Sequence, residues 1–150
     1  MKTLLILVSY HHKNTQKIAD VFAKILEAQI KTPQQTDPAE LQQYDLVGFG
    51  SGIYFGKHHK ELLALINKLP LAVNKKAFIF STSGDTRSGA KLHLALKEKL
   101  ESKGYIIVGE FNCAGFDTFG LLKLVGGLRK GKPDAEDLTH AEDFAEKLKV

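Results

Sequence analysis

Apolar runs with the length of β-strands alternate along this chain with segments whose apolar residues recur at helical spacing. The strand-like runs cover residues 3–8, 30–32, 44–50, 77–81 and 105–108. The helical segments begin near Asn14 or Thr15, before Leu62, at Ala90 and at Asp134. Strands that alternate with helices form a parallel sheet with helices on both faces. The pattern therefore predicts a three-layer α/β sandwich with a five-stranded parallel sheet of order 2-1-3-4-5.

The size and composition of the chain are those of one ordinary globular unit. Its 150 residues contain no internal repeat, low-complexity tract or linker, so we expect a single domain over residues 1–150. No apolar run approaches the roughly 18 residues of a membrane span. The one cysteine, Cys113, cannot form an internal disulfide, which favours a reducing, cytoplasmic location. The formal charge of +4 is mildly basic.

Long polar segments come after the strands, at the edge where ligands bind to such sheets. They cover residues 9–15, 51–56, 81–89 and 112–120, and the last three are rich in Gly, Ser or Thr. In parallel α/β sheets, ligands lie beyond the carboxyl ends of the strands, where the strand order reverses. The lengths and polarity of these segments predict a ligand site there.

The residues directly after the first strand exclude several ligand classes. No glycine is present there, so the G-x-G-x-x-G signature of dinucleotide folds is missing, and no Walker A motif occurs. A phosphoacceptor domain would need acidic residues where Ser9 and Tyr10 stand. A mononucleotide remains, with its phosphate at the first helix N-terminus beside Ser9, Asn14 and Thr15.

The spacing from Ser9 to Asn14 and Thr15 resembles the phosphate loop of the flavodoxins, and the resemblance extends over nearly the whole chain. It implies a flavodoxin-like fold that holds FMN noncovalently, with the flavin ring between side chains of the later loops. Residues 10–13 depart from the Gly-, Ser- and Thr-rich family loop, which implies fewer side-chain contacts to phosphate. The candidate FMN-binding residues are Ser9, Tyr10, His11, His12, Lys13, Asn14, Thr15, Ser51, Gly52, Ile53, Tyr54, Phe55, Gly56, Thr82, Ser83, Gly84 and Phe116.

Structural roles compete with several of these assignments. Asn14 and Thr15 suit a helix cap as well as a phosphate site, and Tyr54 and Phe55 suit either flavin stacking or partial burial. The pair His58 and His59 is predicted to begin the second helix and face solvent. Adjacent histidines point in different directions, so we predict no metal site, and no catalytic residue is assigned.

The segment 115–133 is long for a connection and mixes leucines with lysines and an arginine. It is interpreted either as a short helix on the core or as a basic, apolar surface for a redox partner or for peripheral membrane contact. This segment and residues 50–62 also resemble the flavodoxin-like protoporphyrinogen oxidases. No nucleic-acid-binding motif is present, so nucleic acid is not a predicted partner.

Three functions remain open on these grounds. An FMN-dependent electron carrier of flavodoxin type is favoured, whose redox partner proteins would dock through an acidic face because the chain is basic. The alternatives are an FMN-dependent oxidoreductase, similar to protoporphyrinogen oxidase or quinone reductase, and a non-flavin interaction module on the same fold.

Overall fold

The computed structural model describes residues 1–9, 14–54, 57–83, 89–114 and 133–149, and the alternation of the sequence appears in it directly. The strands are β1 (Thr3–Val8), β2 (Gln29–Lys31), β3 (Leu46–Tyr54), β4 (Lys57–His58), β5 (Lys75–Ser83) and β6 (Tyr105–Ala114). The α-helices are α1 (Asn14–Leu26), α2 (Lys60–Asn67), α3 (Gly89–Ser102) and α4 (Ala135–Leu148). Two 3-10 helices, Pro33–Gln35 and Pro38–Gln43, connect β2 to β3.

The sheet has the strand order β2-β1-β3-β5-β6, and all of these neighbours pair in parallel. Counted without β4, this is the predicted order 2-1-3-4-5, and the predicted fold class is confirmed. The short β4 is an addition that the sequence analysis did not contain. It pairs antiparallel with the end of β3, with Ile53 opposite His58.

Three strands continue further than predicted, into residues that were assigned to loops. β3 ends at Tyr54 rather than at residue 50, β5 ends at Ser83 rather than at 81, and β6 continues to Ala114, into the segment 112–120 that was assigned to the following loop. These ends pair with each other, because Gly52 lies opposite Thr82, and Thr82 lies opposite Cys113. Small polar residues remain in a strand when neighbouring strands satisfy their backbone groups on both sides.

One face of the sheet packs against α1 and α4 through aromatic rings. Phe22 of α1 is fully buried, and its ring centroid lies 5.7 Å from Phe78, 5.2 Å from Phe80 and 5.6 Å from Phe144. Gly50 makes room for this cluster, since a Cβ there would lie 2.1 Å from the ring of Phe80. Burial of this many aromatic rings makes the α1–α4 face a large source of hydrophobic stabilisation.

The other face packs against α2 and α3 mainly through aliphatic side chains. Leu62, Ile66, Leu96 and Leu100 of the two helices contact buried residues of β1, β3 and β5. Towards the carboxyl ends of the strands, this face becomes polar and contains Ser51, Ser81, His58 and His93, all buried. The α2–α3 face is therefore apolar at one end and hydrogen-bonded at the other.

The helix ends obey the predicted chemistry. Gly104 was predicted to end α3, and it has a φ of +93° and donates its N–H to the carbonyl of Glu101. Asp134 caps α4 by accepting the N–H of Asp137 at 3.0 Å. None of the described helices is both long enough and apolar enough to cross a bilayer.

Candidate functional site

The carboxyl ends of β1, β3 and β5 meet beside the first turn of α1. Ser9 comes directly after β1, and its Oγ accepts the backbone N–H of Gln16 at 3.2 Å. The first turns of α1 and α3 contain no acidic residue, whereas those of α2 and α4 contain Glu61 and Glu136, and only α1 begins beside the ends of β1 and β5 among the described helices that lack an acid there. Because the N–H groups and the dipole of a helix favour an anion at its N-terminus, this end of α1 suits a phosphate.

A buried pair of hydroxyl groups connects α1 to the end of β5. The Oγ1 atoms of Thr15 and Thr82 lie 2.8 Å apart, and both residues are almost completely buried. Two of the predicted binding segments therefore come together as expected. The Thr15 hydroxyl bonds to Thr82, so Thr15 fixes the position of the first helical turn.

The residues predicted to form the loop after the third strand, 51–56, instead begin as the end of β3, which pairs with β4. Ser51 is fully buried, and its Oγ accepts the N–H of His59 at 3.0 Å and donates to the carbonyl of Gly52 at 2.6 Å. Gly52 and Ile53 are half-buried, and Tyr54 is the last residue of β3. Ser51 thus holds the start of α2 against β3, and Ser83 at the end of β5 is half-buried beside this region.

The prediction that His58 faces solvent at a helix start is wrong. His58 lies in β4 and is only 3% exposed, and its Nε2 donates to the carbonyl of Phe80 at 3.2 Å. Burial lowers its pKa from 6.5 to about 3, with a smaller lowering contribution from His93, so the ring is neutral at pH 7. His59 does cap α2, because its Nδ1 accepts the N–H of Glu61 at 3.1 Å. Pairing of β4 with β3 turns the first histidine inward and leaves the second at the helix start.

A polar cluster around His93 was not found from the sequence. His93 Nε2 lies 2.6 Å from Ser81 Oγ, and His93 Nδ1 lies 3.1 Å from Glu110 Oε1. Asn112 donates to Ser81 Oγ at 2.7 Å and to Ser83 Oγ at 3.3 Å. The available signal was the spacing of His93 with Leu96 and Leu100, which places the histidine on the buried side of α3.

The remaining predicted residues lie outside the described part of the chain. They are Tyr10, His11, His12, Lys13, Phe55, Gly56, Gly84 and Phe116, together with residues 115–132. Within the described ranges, no group of three or more His, Cys, Asp or Glu side chains is arranged to hold a metal ion. Cys113 is buried and not in a disulfide.

Comparison with known proteins identifies the family. The model of the flavodoxin domain matches residues 5–113. The chain belongs to the flavodoxin family. An uncharacterized protein of Methanocaldococcus jannaschii is 47% identical over 148 residues, which cover 99% of this chain and 98% of that protein.

Solved flavodoxins share the whole fold. Oxidised flavodoxin 2 from Bacillus cereus superimposes with a TM-score of 0.74 at 20% identity, and a flavodoxin from the domain Archaea with 0.70 at 18%. Each comparison covers 100% of both chains. Membership of the flavodoxin family implies that the chain binds a flavin.

Proposed function

We propose that this chain binds FMN at the carboxyl edge of its sheet and shuttles electrons between redox partners. The observation that carries the proposal is the acid-free first turn of α1, which lies beside the ends of β1 and β5 through the Ser9–Gln16 and Thr15–Thr82 hydrogen bonds. In a flavodoxin, this edge of the sheet accommodates two chemical groups of FMN, the phosphate dianion and the apolar flavin ring.

The residues present fit FMN on electrostatic grounds. Hydroxyl groups and N–H donors gather at the start of α1, without a carboxylate that would repel the phosphate. The helix begins at Asn14, and the N–H groups of a first helical turn point along the helix axis towards an anion bound there. Ring contacts are proposed from the end of β3, at Tyr54 and Phe55, and from the residues after Ser83.

Bound FMN supplies the one- and two-electron chemistry, and the protein supplies binding and electrostatics. Thr15 and Thr82 hold the phosphate end in place by fixing α1 against β5. Ser51 holds β3 against the start of α2, which positions the strand that leads to Tyr54. The basic charge of +4 favours protein partners with an acidic docking face, and their association would slow as salt is added.

The first experiment compares FMN with riboflavin, which lacks the phosphate. We expect FMN to change its visible spectrum on binding and to bind at least about tenfold more tightly than riboflavin, since charge-assisted hydrogen bonds contribute roughly 1.5–3 kcal/mol each. Equal affinities would exclude a phosphate site at α1. Absence of binding to either compound would favour the interaction-module alternative.

A matched pair of substitutions locates the phosphate. Asn14→Asp adds a negative charge to the first turn of α1 without a large change of shape, and should weaken FMN about tenfold or more while leaving riboflavin nearly unchanged. The control is Asn67→Asp, at the far end of α2. Equal effects of Asn14→Asp on both compounds would place the phosphate elsewhere.

Stepwise reduction of the FMN-loaded protein then distinguishes a carrier from an enzyme. A carrier is reduced only by a reductase or a chemical reductant, whereas an oxidase-like relative is reduced directly by protoporphyrinogen IX. We expect no direct reduction. Rapid reduction by that compound alone would replace the carrier proposal with the oxidoreductase alternative.

A further inference from the structure

A set of buried hydrogen bonds on the α3 side of the sheet has no part in holding the phosphate. It runs from Asn112 through Ser81 and His93 to Glu110. Ser81 and His93 are 0% and 1% exposed, whereas the Glu110 side chain is 27% exposed. The cluster therefore reaches from the interior, beneath the ends of β5 and β6, to solvent.

The donors and acceptors of this cluster specify one arrangement of hydrogens. The Asn112 amide nitrogen can only donate, so Ser81 Oγ accepts from it and directs its own hydrogen to His93 Nε2. His93 is then neutral and donates from Nδ1 to the Glu110 carboxylate. Burial holds the pKa of His93 below 6.5, and the charge and hydrogen bond of Glu110 oppose part of this effect.

Serine, histidine and glutamate in this order resemble a hydrolytic triad, but the surroundings exclude that chemistry. Ser81 is completely buried in the middle of the sheet, between β3 and β6. Asn112 occupies the side of Ser81 Oγ that is not bonded to His93. A substrate carbonyl cannot approach this oxygen, so the cluster handles protons and not acyl groups.

His93 is better suited to accept a proton than His58, whose ring centroid is 5.1 Å away. The Nε2–H of His58 is bonded to the carbonyl of Phe80, and its Nδ1 is buried without a hydrogen-bond partner among the described residues. A proton on that Nδ1 would be buried with no acceptor, which is costly. His93 has a carboxylate on one nitrogen and a hydroxyl oxygen on the other.

Asn112 allows the hydrogen bonds to reverse when His93 becomes charged. A protonated His93 donates from Nε2 to Ser81 Oγ, so the Ser81 hydrogen needs a new acceptor. The amide oxygen of Asn112 is buried and has no partner among the described residues. Rotation of the amide by half a turn brings this oxygen to Ser81 and satisfies the reversed hydroxyl, in exchange for the amide N–H bonds to Ser83 Oγ and to the carbonyl of Ser81.

We propose that His93 is a redox-linked proton acceptor, which takes up a proton from water when the cofactor at the edge of the sheet gains an electron. The inference rests on the proposed FMN site. The electron comes from the reducing partner, and the proton binds at His93 Nε2. The Nδ1–H of His93 remains hydrogen-bonded to the Glu110 carboxylate. Oxidation returns the electron to the acceptor and the proton to water. An electron on a cofactor bound at this edge would add negative charge to the site, and added negative charge favours the imidazolium over the neutral ring.

The other titratable and charged groups around His93 come from the elements packed against α3. β6 contributes Glu110, β4 contributes His58, and α3 itself contributes Lys97, whose Nζ is 3.6 Å from Glu110 Oε2. The start of α2 carries His59, Lys60 and Glu61. β5 contributes the uncharged Ser81. Glu110 is thus the acidic group bonded to the ring.

Nuclear magnetic resonance of the histidine rings tests the proposal directly. The titration of His93 is followed in the protein without FMN, with oxidised FMN, and with FMN fully reduced by dithionite. We expect the Nδ1–H tautomer in the first two samples and a higher pKa of His93 in the third. The ring signals of the exposed His140 serve as the internal control for sample conditions.

Potentiometry supplies the second measurement. Where His93 changes protonation with redox state, the one-electron midpoint potential should fall by an additional ~59 mV per pH unit, since that is the equivalent of a tenfold change in proton concentration. His93→Gln should abolish this additional slope. Glu110→Gln, at a half-exposed position that preserves the fold, should lower the pKa of His93 and reduce the slope, whereas Glu142→Gln on the exposed side of α4 should not.

The outcomes separate this inference from the function on which it rests. Failure of the protein to bind FMN overturns both. FMN binding with an identical His93 titration in the oxidised and reduced samples overturns the redox link and leaves the FMN site intact.

Discussion

On the α1–α4 side of the sheet, the ring centroid of Phe22 lies 5.2 to 5.7 Å from those of four other aromatic rings. On the α2–α3 side, the buried residue at the centre of the strand ends is His93, which is hydrogen-bonded to Ser81 and Glu110. Aromatic packing contributes the same stabilisation at any pH in the physiological range. The histidine side remains stable only while its two buried imidazoles stay neutral, or while a nearby negative charge compensates a positive one.

The two faces of the sheet have different tasks. The aromatic face anchors α1, the helix whose start we propose as the phosphate site. The histidine face lies beneath the opposite side of the same edge and carries titratable groups. Under the proposed function, the rigid aromatic packing would lie on one face of the sheet and the proposed proton uptake on the other.

Acid should affect the histidine face most strongly. The native pKa of His58, about 3, lies below the ordinary value of 6.5, so the unfolded chain binds more protons in this interval and stability falls as the pH is lowered through it. A full proton of difference between the two states would be worth ~1.4 kcal/mol per pH unit there. Urea unfolding of wild type and His58→Gln at several pH values measures the difference. An unchanged pH slope in His58→Gln would refute the assignment.

Phe22→Ala should greatly weaken the packing of the aromatic face and lower the free energy of unfolding. Removal of a fully buried phenylalanine leaves a cavity and typically costs about 3–5 kcal/mol. The free energy of unfolding should drop by the same amount at pH 7 and at pH 5.5, because no titratable group is involved. Leu94→Ala, at an exposed apolar position of α3, is the control and should change stability by less than about 0.5 kcal/mol. A Phe22→Ala loss that depends on pH would contradict the division between the faces.

Gly50→Ala should overfill the aromatic face where β3 meets β5. The new Cβ would lie 2.1 Å from the ring of Phe80, and overpacking of this kind typically costs about 1–3 kcal/mol. Combination with Phe80→Leu should recover part of the loss, since it removes the ring that the methyl group meets. Thermal unfolding of the single and double variants measures this. If the two costs simply add, the close contact is not the cause.

Thr82→Val should have the smallest effect. It removes the hydroxyl that bonds to Thr15 and costs about 1 kcal/mol, with little change in volume. A double-mutant cycle with Thr15→Val isolates the bond, because the second substitution should add little once the first is present. Additive losses would mean that the two hydroxyls act independently. The cycle can be measured by chemical denaturation at pH 7.

Much of the fold is predictable from periodicity alone. β1 is a run of six buried residues, and the apolar positions of α1 recur at helical spacing, so element type, order and sheet topology can be inferred. The positions at which the strands end cannot be inferred in this way. Residues such as Gly52 and Asn112 have turn-like composition, and only their pairing with neighbouring strands keeps them extended.

The site is predictable only where it depends on local chemistry. Ser9 and the start of α1 could be found because a strand, a polar segment and a helix N-terminus are adjacent in sequence. The His93 cluster joins α3 to β5 and β6, and its hydrogen bonds depend on tertiary contacts that no local pattern encodes. His58 was misplaced for the same reason, since two-residue strands such as β4 have no periodicity to detect.

The central position of β1 in the sheet has a consequence for folding during translation. All six residues of β1 are buried in the native state, yet their second neighbour, β3, begins only at Leu46. At synthesis rates of about 5–20 residues per second, the run from Thr3 to Val8 waits roughly 2–9 seconds for that partner to be made. An exposed apolar strand of this kind is prone to pair with other chains. Until β3 has been made, this apolar segment lacks the partner strand that covers its second edge in the native sheet.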